Sequence, residues 1–476
     1  MSNYETVIGL EVHTELSTKS KIFCSCSTEF GGDPNTHCCP ICTGMPGTLP
    51  VLNKSVAEYA MRVGLATNCT INKYNKFDRK NYFYPDLPKA YQISQLYLPI
   101  CVNGMVEIDV GGNRKAIRIK EIHMEEDAGK LVHDDWEDCT LADYNRCGVP
   151  LLEIVSEADF RSSAEVLAYL EKIRAILQYL DVSDCKMQEG SLRADVNVSV
   201  RPVGQKEYGT RTEMKNMNSL KAIGRAIDFE SKRMIELLEE GKKVRQETRR
   251  WDDNKDASFP MRSKENAQDY RYFPEPDIPP VEVSDEWLNC IRESLPELPE
   301  RKLSRYMDDL GLGYYDAEMI IRYKPMADFF EETNDLINDP KEISKWIMGE
   351  LFRLLNDNGM EPSENPIAAK DMAALIQLVK NGKINRDTGK KVFEAMFSKG
   401  AEPERYVKDH DLEMVSDTGA VEAVVDEVIC ANPQSVEDFK NGKTKAISFL
   451  MGQCMKRLKG KANPKELTEL LQNKLK

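Results

Sequence analysis

The chain has 476 residues, of which 41% are hydrophobic and 30% are charged, so it is long enough for two to four domains with substantial cores. Lysine and arginine total 65 against 79 aspartates and glutamates, and the formal net charge is −14. This balance excludes a generally basic nucleic-acid-binding protein, so a polyanion should bind only a local basic patch.

The N-terminal segment MSNYETVIGLEVH has neither the basic start nor the apolar core of a secretion signal. No apolar run approaches the roughly 20 residues that a membrane-spanning helix needs. We therefore expect a soluble, cytoplasmic protein without a membrane partner. The 13 cysteines are an odd number, and a reducing compartment argues against a disulfide framework.

The first predicted strand covers residues 7–13. Alternation places Glu11 and His13 on one face, opposite the apolar residues, and Gly9 leaves space beside them. A carboxylate and an imidazole two residues apart on a strand can reach one divalent cation. The alternative is an ordinary polar face of a half-buried sheet.

A cysteine-rich segment follows, with the pattern C-x-C and then C-x-x-C around glycine and proline residues. Two close thiolate pairs on such a turn-rich segment are typical of a structural Zn²⁺ site. The four candidate ligands are Cys24, Cys26, Cys39 and Cys42. His37 and Cys38 are spare candidates, and the alternative is a set of reduced thiols in a glycine-rich loop.

Residues 76–84, KFDRKNYFY, combine basic and aromatic side chains. Arg79 and Lys80 can meet phosphates, and the aromatic residues 82–84 can stack on a base or ribose. The alternative is a loop whose aromatic side chains pack on the core.

Further acids occur along predicted strands and apolar runs. Alternation predicts strands at 116–124, 191–201 and 210–216, with Asp195 on a polar face of the second and Glu213 in the third. HMEEDAGK carries Glu125 and Glu126, and LLEIVSE carries Glu153 within an apolar run. A buried acid must be paired, protonated or metal-bound, and several of them could converge on Mg²⁺.

Apolar periodicity predicts helices at 163–180 and 219–240. The proline-rich stretch 273–280 ends this mixed region, and the pattern beyond it is nearly all helical. A second break is predicted near 399–404. The resulting domains are 1–292, 293–402 and 403–476. No G-x-x-x-x-G-K-[ST] or G-x-S-x-G motif is present, so the acids indicate phosphoryl transfer assisted by metal and carboxylates.

These segments closely resemble the B subunit family of bacterial Asp/Glu-tRNA amidotransferases. The matching stretches are IGLEVHTEL, the cysteine segment running into GMPGTLPVLN, KFDRKNYFYPDLPKAYQISQ, HMEEDAGK, GVPLLEIVSE, EGSLRADVNVS, EMKNMNS, QETRRWDD and DYRYFPEPDIPP. They span essentially all of the first predicted domain. The helical remainder also looks like the C-terminal region of the family.

The resemblance implies an α+β fold: a cradle-shaped N-terminal kinase/transamidase domain with an antiparallel sheet and flanking helices, then an all-α domain and a small helical tail. It implies a heterotrimer with an amidase A subunit, which releases ammonia from glutamine, and a small C subunit. The implied activity is that of a carbon–nitrogen ligase with glutamine as amido donor. The side chain of Glu-tRNA(Gln), Asp-tRNA(Asn) or both is activated with ATP and amidated, and the sequence does not decide between these tRNAs.

Carried onto this sequence, the resemblance implies the following site residues. The catalytic set is Glu11, His13, Lys80, Glu126, Glu153, Asp195 and Glu213. We expect nucleotide contacts from Lys80 and Glu125, and from Arg79 because of its place in the basic segment 76–84. The resemblance also implies a structural Zn²⁺ at Cys24, Cys26, Cys39 and Cys42. Our hypothesis is that Glu11, His13, Glu126 and Glu153 hold Mg²⁺ directly or through water.

The C-terminal segment 440–476 has ten lysines or arginines against two glutamates, a local charge of +8. Such a basic helical end can contact tRNA phosphates, although a solvated helix face is the alternative. Two other functions stay open at this point. The chain could be a non-catalytic tRNA-binding scaffold, or a stand-alone carboxylate–amine ligase that acts on a small metabolite.

Overall fold

The computed structural model describes residues 3–134, 137–263, 269–414, 418–440, 445–458, 462 and 464–475. The chain forms two compact units, Met1–Pro299 and Glu300–Lys476. The first combines strands and helices, whereas the described elements of the second are all helical. This arrangement confirms the predicted α+β class with a helical C-terminal region. The predicted domain boundaries at 292 and 402 stay predictions.

The first unit contains all the described strands and four helices. The strands are β1 (Tyr4–Glu15), β2 (Thr70–Ile71), β3 (Tyr74–Asn75), β4 (Asp78–Asn81), β5 (Tyr91–Ser94), β6 (Cys101–Val110), β7 (Asn113–Glu126), β8 (Lys130–Asp134), β9 (Cys139–Asp143), β10 (Pro150–Ser156), β11 (Leu192–Pro202), β12 (Thr212–Lys215), β13 (Glu247–Asp252), β14 (Ala257–Ser263), β15 (Phe273–Pro274) and β16 (Val281–Glu282). The helices are α1 (Lys54–Ala66), α2 (Ser163–Tyr179), α3 (Leu220–Glu239) and α4 (Asp285–Glu293).

The main sheet contains nine strands within the described residues, in the order β14-β13-β12-β11-β1-β10-β7-β6-β2. The N-terminal strand β1 lies near its centre, antiparallel to β10 on one side and to β11 on the other. Neighbouring strands are antiparallel except for β12 and β13, which run parallel. Smaller sheets join β15 to β4 and β5, β16 to β3, and β8 to β9.

The two faces of the main sheet differ in polarity because side chains alternate along each strand. In β1, Ile8, Leu10 and Val12 are almost fully buried on one face. They join a core to which α1, α2 and α3 contribute, and these helices contact the sheet. The other face of β1 presents Glu11 and His13. The predicted amphipathic pattern of this strand is therefore confirmed.

The predicted helices at 163–180 and 219–240 are confirmed as α2 and α3. Each begins after a serine whose side chain caps the first turn. The Ser162 hydroxyl accepts from the Glu165 N–H, and the Ser219 hydroxyl accepts from the Ala222 N–H at 3.1 Å. These helices cover the apolar face of the sheet and leave the polar face accessible.

The second unit contains helices with two separate hydrophobic cores among its described residues. Its elements are α5 (Pro299–Asp308), α6 (Tyr314–Ile321), α7 (Lys324–Ile337), α8 (Pro340–Trp346), a π-helical turn (Ile347–Leu351), α9 (Phe352–Asp357), a 3₁₀ turn (Pro362–Glu364), α10 (Ala369–Lys380), α11 (Arg386–Lys399), α12 (Pro403–Asp409), α13 (Thr418–Ala431), α14 (Pro433–Lys440), α15 (Lys445–Arg457) and α16 (Pro464–Leu475). Val407 of α12 packs in the first of these cores, whereas Val425 and Leu471 belong to the second. None of the described helices has both the length and the hydrophobicity to cross a membrane.

Candidate active site on the polar face of the sheet

Strand pairing brings acids from distant segments onto one face of the main sheet. Glu11 lies opposite Asp195 of β11. His13 lies opposite Glu153 of β10 and Arg193 of β11. Paired residues in adjacent strands point to the same face, so these side chains must share one surface.

This surface forms the floor of a cavity of about 450 Å³. Its lining residues are Glu11, His13, Lys80, Tyr82, Gln92, Glu125, Asp127, Ala128, Leu151, Glu153, Arg193, Asp195, Glu213, Lys215 and Tyr270. All the predicted site acids except Glu126 are among them. The cavity thus concentrates negative charge together with three lysines or arginines.

His13, Glu125 and Glu153 form the first acidic group, in which one ligand atom of each lies within 4.8 Å of the others. The Nε2 atom of His13 is 3.5 Å from Glu153 and 3.9 Å from Glu125. His123 lies 2.9 Å from Glu153, and its Nδ1 is held at 2.8 Å by the carbonyl of Gln95. The group has the oxygen-rich donor set, with one imidazole, that suits a divalent cation.

Burial and neighbouring charges shift the pKa values in this group. Burial would raise the pKa of Glu153, but His123 and His13 hold it well below its usual range. Burial and the charge of Glu153 raise the pKa of Glu125. Burial would lower the pKa of His13, but its hydrogen bond and charge interaction with Glu153 raise it. The histidines therefore compensate part of the buried negative charge.

Glu11, Asp195 and Glu213 form the second acidic group, again with one ligand atom from each within 4.8 Å of the others. Asn197 donates to Glu11 at 3.0 Å. Burial, followed by the charges of Glu153 and Asp195, raises the pKa of Glu11. Lys215 contacts two of the three acids, at 2.5 Å from Asp195 and 3.2 Å from Glu213.

Lys80 extends from β4 into the same cavity. Its ammonium lies 5.1 Å from the ring centroid of Tyr270 and 6.0 Å from that of Tyr82. Burial would lower the pKa of Lys80, but the charge of Glu125 raises it. The lysine therefore stays protonated beside the first acidic group, where it can attract an anionic substrate. The two neighbouring aromatic residues 83 and 84 are exposed.

The structure places the Glu126 carboxylate apart from the two acidic groups, so the geometry does not support the predicted role of Glu126 as a cation ligand, and that role stays a prediction. Glu125 and Glu126 are consecutive in β7, and alternation directs their side chains apart. Both carboxylate oxygens of Glu126 bind the Lys89 ammonium, at 2.5 and 2.6 Å, and one also accepts from the Ile93 N–H at 2.9 Å. Glu125, predicted to contact the nucleotide, has the position expected for the cation ligand.

Arg79 is also placed away from the cavity, contrary to its predicted contact with phosphates. Its guanidinium binds Glu275 at 2.6 Å and Asp277 at 2.9 Å, and it stacks over Tyr91 at 4.2 Å. The physical reason is the alternation along β4, which points Arg79 and Lys80 in opposite directions. Arg79 holds β15 against β4 instead.

The four predicted cysteines form a separate cluster. Cys42 lies 3.5 Å from Cys24, 3.8 Å from Cys39 and 3.9 Å from Cys26, measured between sulfurs. Sulfurs at about 2.3 Å from a tetrahedral ion lie about 3.8 Å apart, so the cluster fits one metal ion.

The surroundings of the cluster also suit bound thiolates. The fully buried ammonium of Lys21 lies 3.6 Å from the Cys42 sulfur, which favours negative charge there. The spare candidates are directed elsewhere: Cys38 donates to the Asn35 carbonyl at 3.3 Å, and His37 lies 3.2 Å from the Glu29 carbonyl.

Comparison with known protein families shows the family to which the chain belongs. The profile of the GatB/GatE catalytic domain matches residues 6–289, and the profile of the GatB domain matches residues 328–475. The chain belongs to the GatB family. The catalytic-domain match contains every residue that lines the cavity, as well as the cysteine cluster.

Curated GatB relatives match over their whole length. A protein of Lachnoclostridium phytofermentans is 63% identical, covering 100% of this chain and 99% of the relative. Proteins of Agathobacter rectalis and Caldicellulosiruptor bescii are each 60% identical, with 99% of both chains covered. All three are named as the B subunit of an aspartyl/glutamyl-tRNA(Asn/Gln) amidotransferase. The family resemblance inferred from the sequence motifs is thereby confirmed.

Several lining residues of this GatB chain were not predicted as site residues. Arg193 has the same strand phase as Asp195, and Lys215 has the same strand phase as Glu213, so alternation within β11 and within β12 could have indicated them. Tyr270 lies in none of the named strands, and no periodic signal marks it.

Proposed function

We propose that the chain is the B subunit of a tRNA-dependent amidotransferase and that its polar sheet face is the transamidation site. The substrate is Glu-tRNA(Gln), Asp-tRNA(Asn) or both, as the names of the relatives suggest for them. The observation that carries the proposal is the convergence of two acidic groups and Lys80 in one cavity. A site built for a neutral metabolite would not need such charge density.

The proposed chemistry overcomes the low electrophilicity of a carboxylate. An oxygen of the aminoacyl side chain attacks the γ-phosphorus of ATP, and ADP leaves, which produces an acyl phosphate. Ammonia then forms the C–N bond, the C–O bond to phosphate breaks, and a proton is lost. Glutaminyl- or asparaginyl-tRNA and phosphate are the products.

The two acidic groups have the donors to hold divalent cations. His13, Glu125 and Glu153 would hold one Mg²⁺, and Glu11, Asp195 and Glu213 would hold another. Mg²⁺ neutralises phosphate charge and orients a phosphoryl group when it is bound. Glu125 replaces Glu126 among the proposed ligands because Glu126 is paired with Lys89.

Lys80 is the side chain that we propose to place a positive charge beside the phosphates of ATP. Its ammonium is held near Glu125 and beside two aromatic rings, so little reorganisation is required when an anion binds. Tyr82 and Tyr270 provide aromatic rings on which the adenine of ATP or the terminal adenosine of the tRNA can stack.

The cysteine cluster is proposed to hold a structural Zn²⁺. Four sulfurs fill all positions of a tetrahedral ion, which leaves none for substrate. The cluster stabilises the loop that follows β1, whose Lys21 N–H donates to the Cys26 carbonyl at 3.0 Å.

The names of the relatives, as B subunits of an amidotransferase, and the lability of an acyl phosphate both support partner subunits. An acyl phosphate hydrolyses in water, so ammonia should reach the site by a sheltered path. We propose a heterotrimer with an amidase subunit that supplies ammonia from glutamine and a small third subunit. Exposed basic residues of the C-terminal helices, such as Lys456 and Arg457, would contact tRNA phosphates.

The deciding experiment measures ADP formation by the assembled complex with and without misacylated tRNA. Formation that requires Glu-tRNA(Gln) or Asp-tRNA(Asn) supports the proposal. A non-catalytic scaffold would give no ADP in either case, and a small-metabolite ligase would turn over its substrate without tRNA. Either of these results would overturn it.

A further inference from the structure

The second acidic group already binds a positively charged side chain, that of Lys215. The Lys215 ammonium lies 2.5 Å from Asp195 and 3.2 Å from Glu213. The same two carboxylates, together with Glu11, are the proposed cation ligands. A divalent ion in this group would therefore lie where the ammonium now binds.

Uncharged side chains donate hydrogen bonds to two carboxylates of the group, those of Glu213 and Glu11. Thr248 donates to one oxygen of Glu213 at 2.7 Å, while the other oxygen faces Lys215. Asn197 donates in the same way to Glu11 at 3.0 Å. Glu213 and Glu11 are thus oriented by contacts that do not involve Lys215, and these two carboxylates would keep their positions after the ammonium leaves.

The first acidic group, His13, Glu125 and Glu153, differs from the second in the cations that its carboxylates contact. In the part of the chain that the structure describes, Glu125 and Glu153 form ion pairs with histidines but have no lysine or arginine nitrogen within 4.0 Å. A divalent ion there displaces no ammonium. The two groups should therefore bind divalent ions with different affinities, because only one of them must first release a resident cation.

We propose that Lys215 is a resident counter-cation that a divalent ion displaces from the second acidic group toward the phosphates of the substrate. Lys215 is the last residue of β12, and its side chain is 34% exposed and lines the cavity. Its flexible stem can swing into the cavity without moving the strand. Cation binding would thereby deliver a second ammonium, besides Lys80, to the reacting phosphoryl group. The phosphate contact rests on the proposed function, whereas the displacement does not.

Mn²⁺ binding to the full chain tests the displacement directly. Calorimetry and electron paramagnetic resonance would compare the wild type with Lys215→Met and with the control Lys115→Met. The control removes a lysine paired at 2.7 Å with Glu165, outside the cavity. We expect two classes of Mn²⁺ site in the wild type, a rise of tenfold or more in the affinity of the weaker class in Lys215→Met, and no change in Lys115→Met. Unchanged or weaker binding in Lys215→Met would overturn the displacement.

Thermal melting shows whether the variant folds, and Lys215→Gln is the substitute if Lys215→Met does not. The same affinity rise is expected of Lys215→Gln. In the assembled complex with Glu-tRNA(Gln), we expect the variant to form ADP at least tenfold more slowly at saturating Mg²⁺. If the wild type is inactive but Mn²⁺ affinity still rises, the proposed function fails and the displacement stands. If the wild type is active and Mn²⁺ affinity does not rise, the displacement alone fails.

Discussion

Glu125 and Glu126 are adjacent in β7, yet their carboxylates have different partners. Glu125 lines the cavity within 3.9 Å of His13, whereas Glu126 binds Lys89 at 2.5 Å. Both residues are only 3% exposed, so burial alone does not distinguish them. These contacts support our proposal that Glu125 is a cation ligand and that Glu126 contributes to the stability of the fold.

Glu125→Gln should therefore reduce ADP formation dependent on Glu-tRNA(Gln) at least 100-fold, because it removes a cation ligand. Its melting temperature should change little, since the loss also relieves repulsion from Glu153. Steady-state ADP formation by the assembled complex checks the first point and calorimetry the second. Near-normal turnover in this variant would remove Glu125 from the site.

Glu126→Gln is the matched comparison and should act on stability. It leaves the nearly buried Lys89 ammonium without its anionic partner, which costs about 3–5 kcal/mol when a buried pair is broken. Denaturant unfolding of the isolated chain measures this loss. A variant with wild-type stability and no turnover would restore Glu126 to the catalytic group.

Removal of Zn²⁺ should loosen the segment around the cysteine cluster. We expect about one zinc per chain by elemental analysis of the wild type, and loss of that zinc in Cys42→Ser. Cys38→Ser is the control, because its sulfur faces the Asn35 carbonyl and lies outside the four-sulfur group. Equal zinc content in both variants would contradict the proposed ligand set.

Basic residues at the end of α15 should contribute to tRNA binding. Lys456 and Arg457 are exposed, and replacing both with glutamine should flatten the dependence of log Kd on log salt by about 0.7–0.9 for each phosphate that the variant no longer neutralises. Binding of the assembled complex to tRNA between low and moderate salt measures the slope. An unchanged slope would argue that this helix end does not touch the phosphate backbone.

The stability of the second unit should depend on pH through Glu331. Burial would raise the pKa of Glu331, but Lys302 and Arg305 lower it below its ordinary value of 4.5. Since the folded pKa is the lower one, the stabilisation is present above pH 4.5 and is lost as pH falls through the folded pKa. Glu331→Gln should cost about 1 kcal/mol at pH 7 for this partly screened group. Unfolding curves at pH 7 and pH 3 check this prediction, and the difference in stability between the two proteins should be smaller at pH 3 than at pH 7.

Sequence periodicity was sufficient to predict the local part of this site. Alternation placed Glu11 with His13 and put Asp195 on a polar face, because that information lies within one strand. The sequence could not specify which strands pair, so the contact between Glu11 and Asp195 was not predictable from periodicity. The strand predicted at 116–124 ended one position before Glu125, and therefore assigned no face to Glu125 or Glu126.

The central position of β1 has a consequence for biosynthesis. This strand is synthesised before both of its neighbours, because β10 begins only at Pro150 and β11 only at Leu192. A nascent chain must therefore carry a strand with one apolar face and two unpaired edges until much of the first unit has emerged from the ribosome. Such long-range pairing is slow and exposes the chain to aggregation, so folding of this unit in the cell should depend on chaperones that shield the N-terminal segment during synthesis.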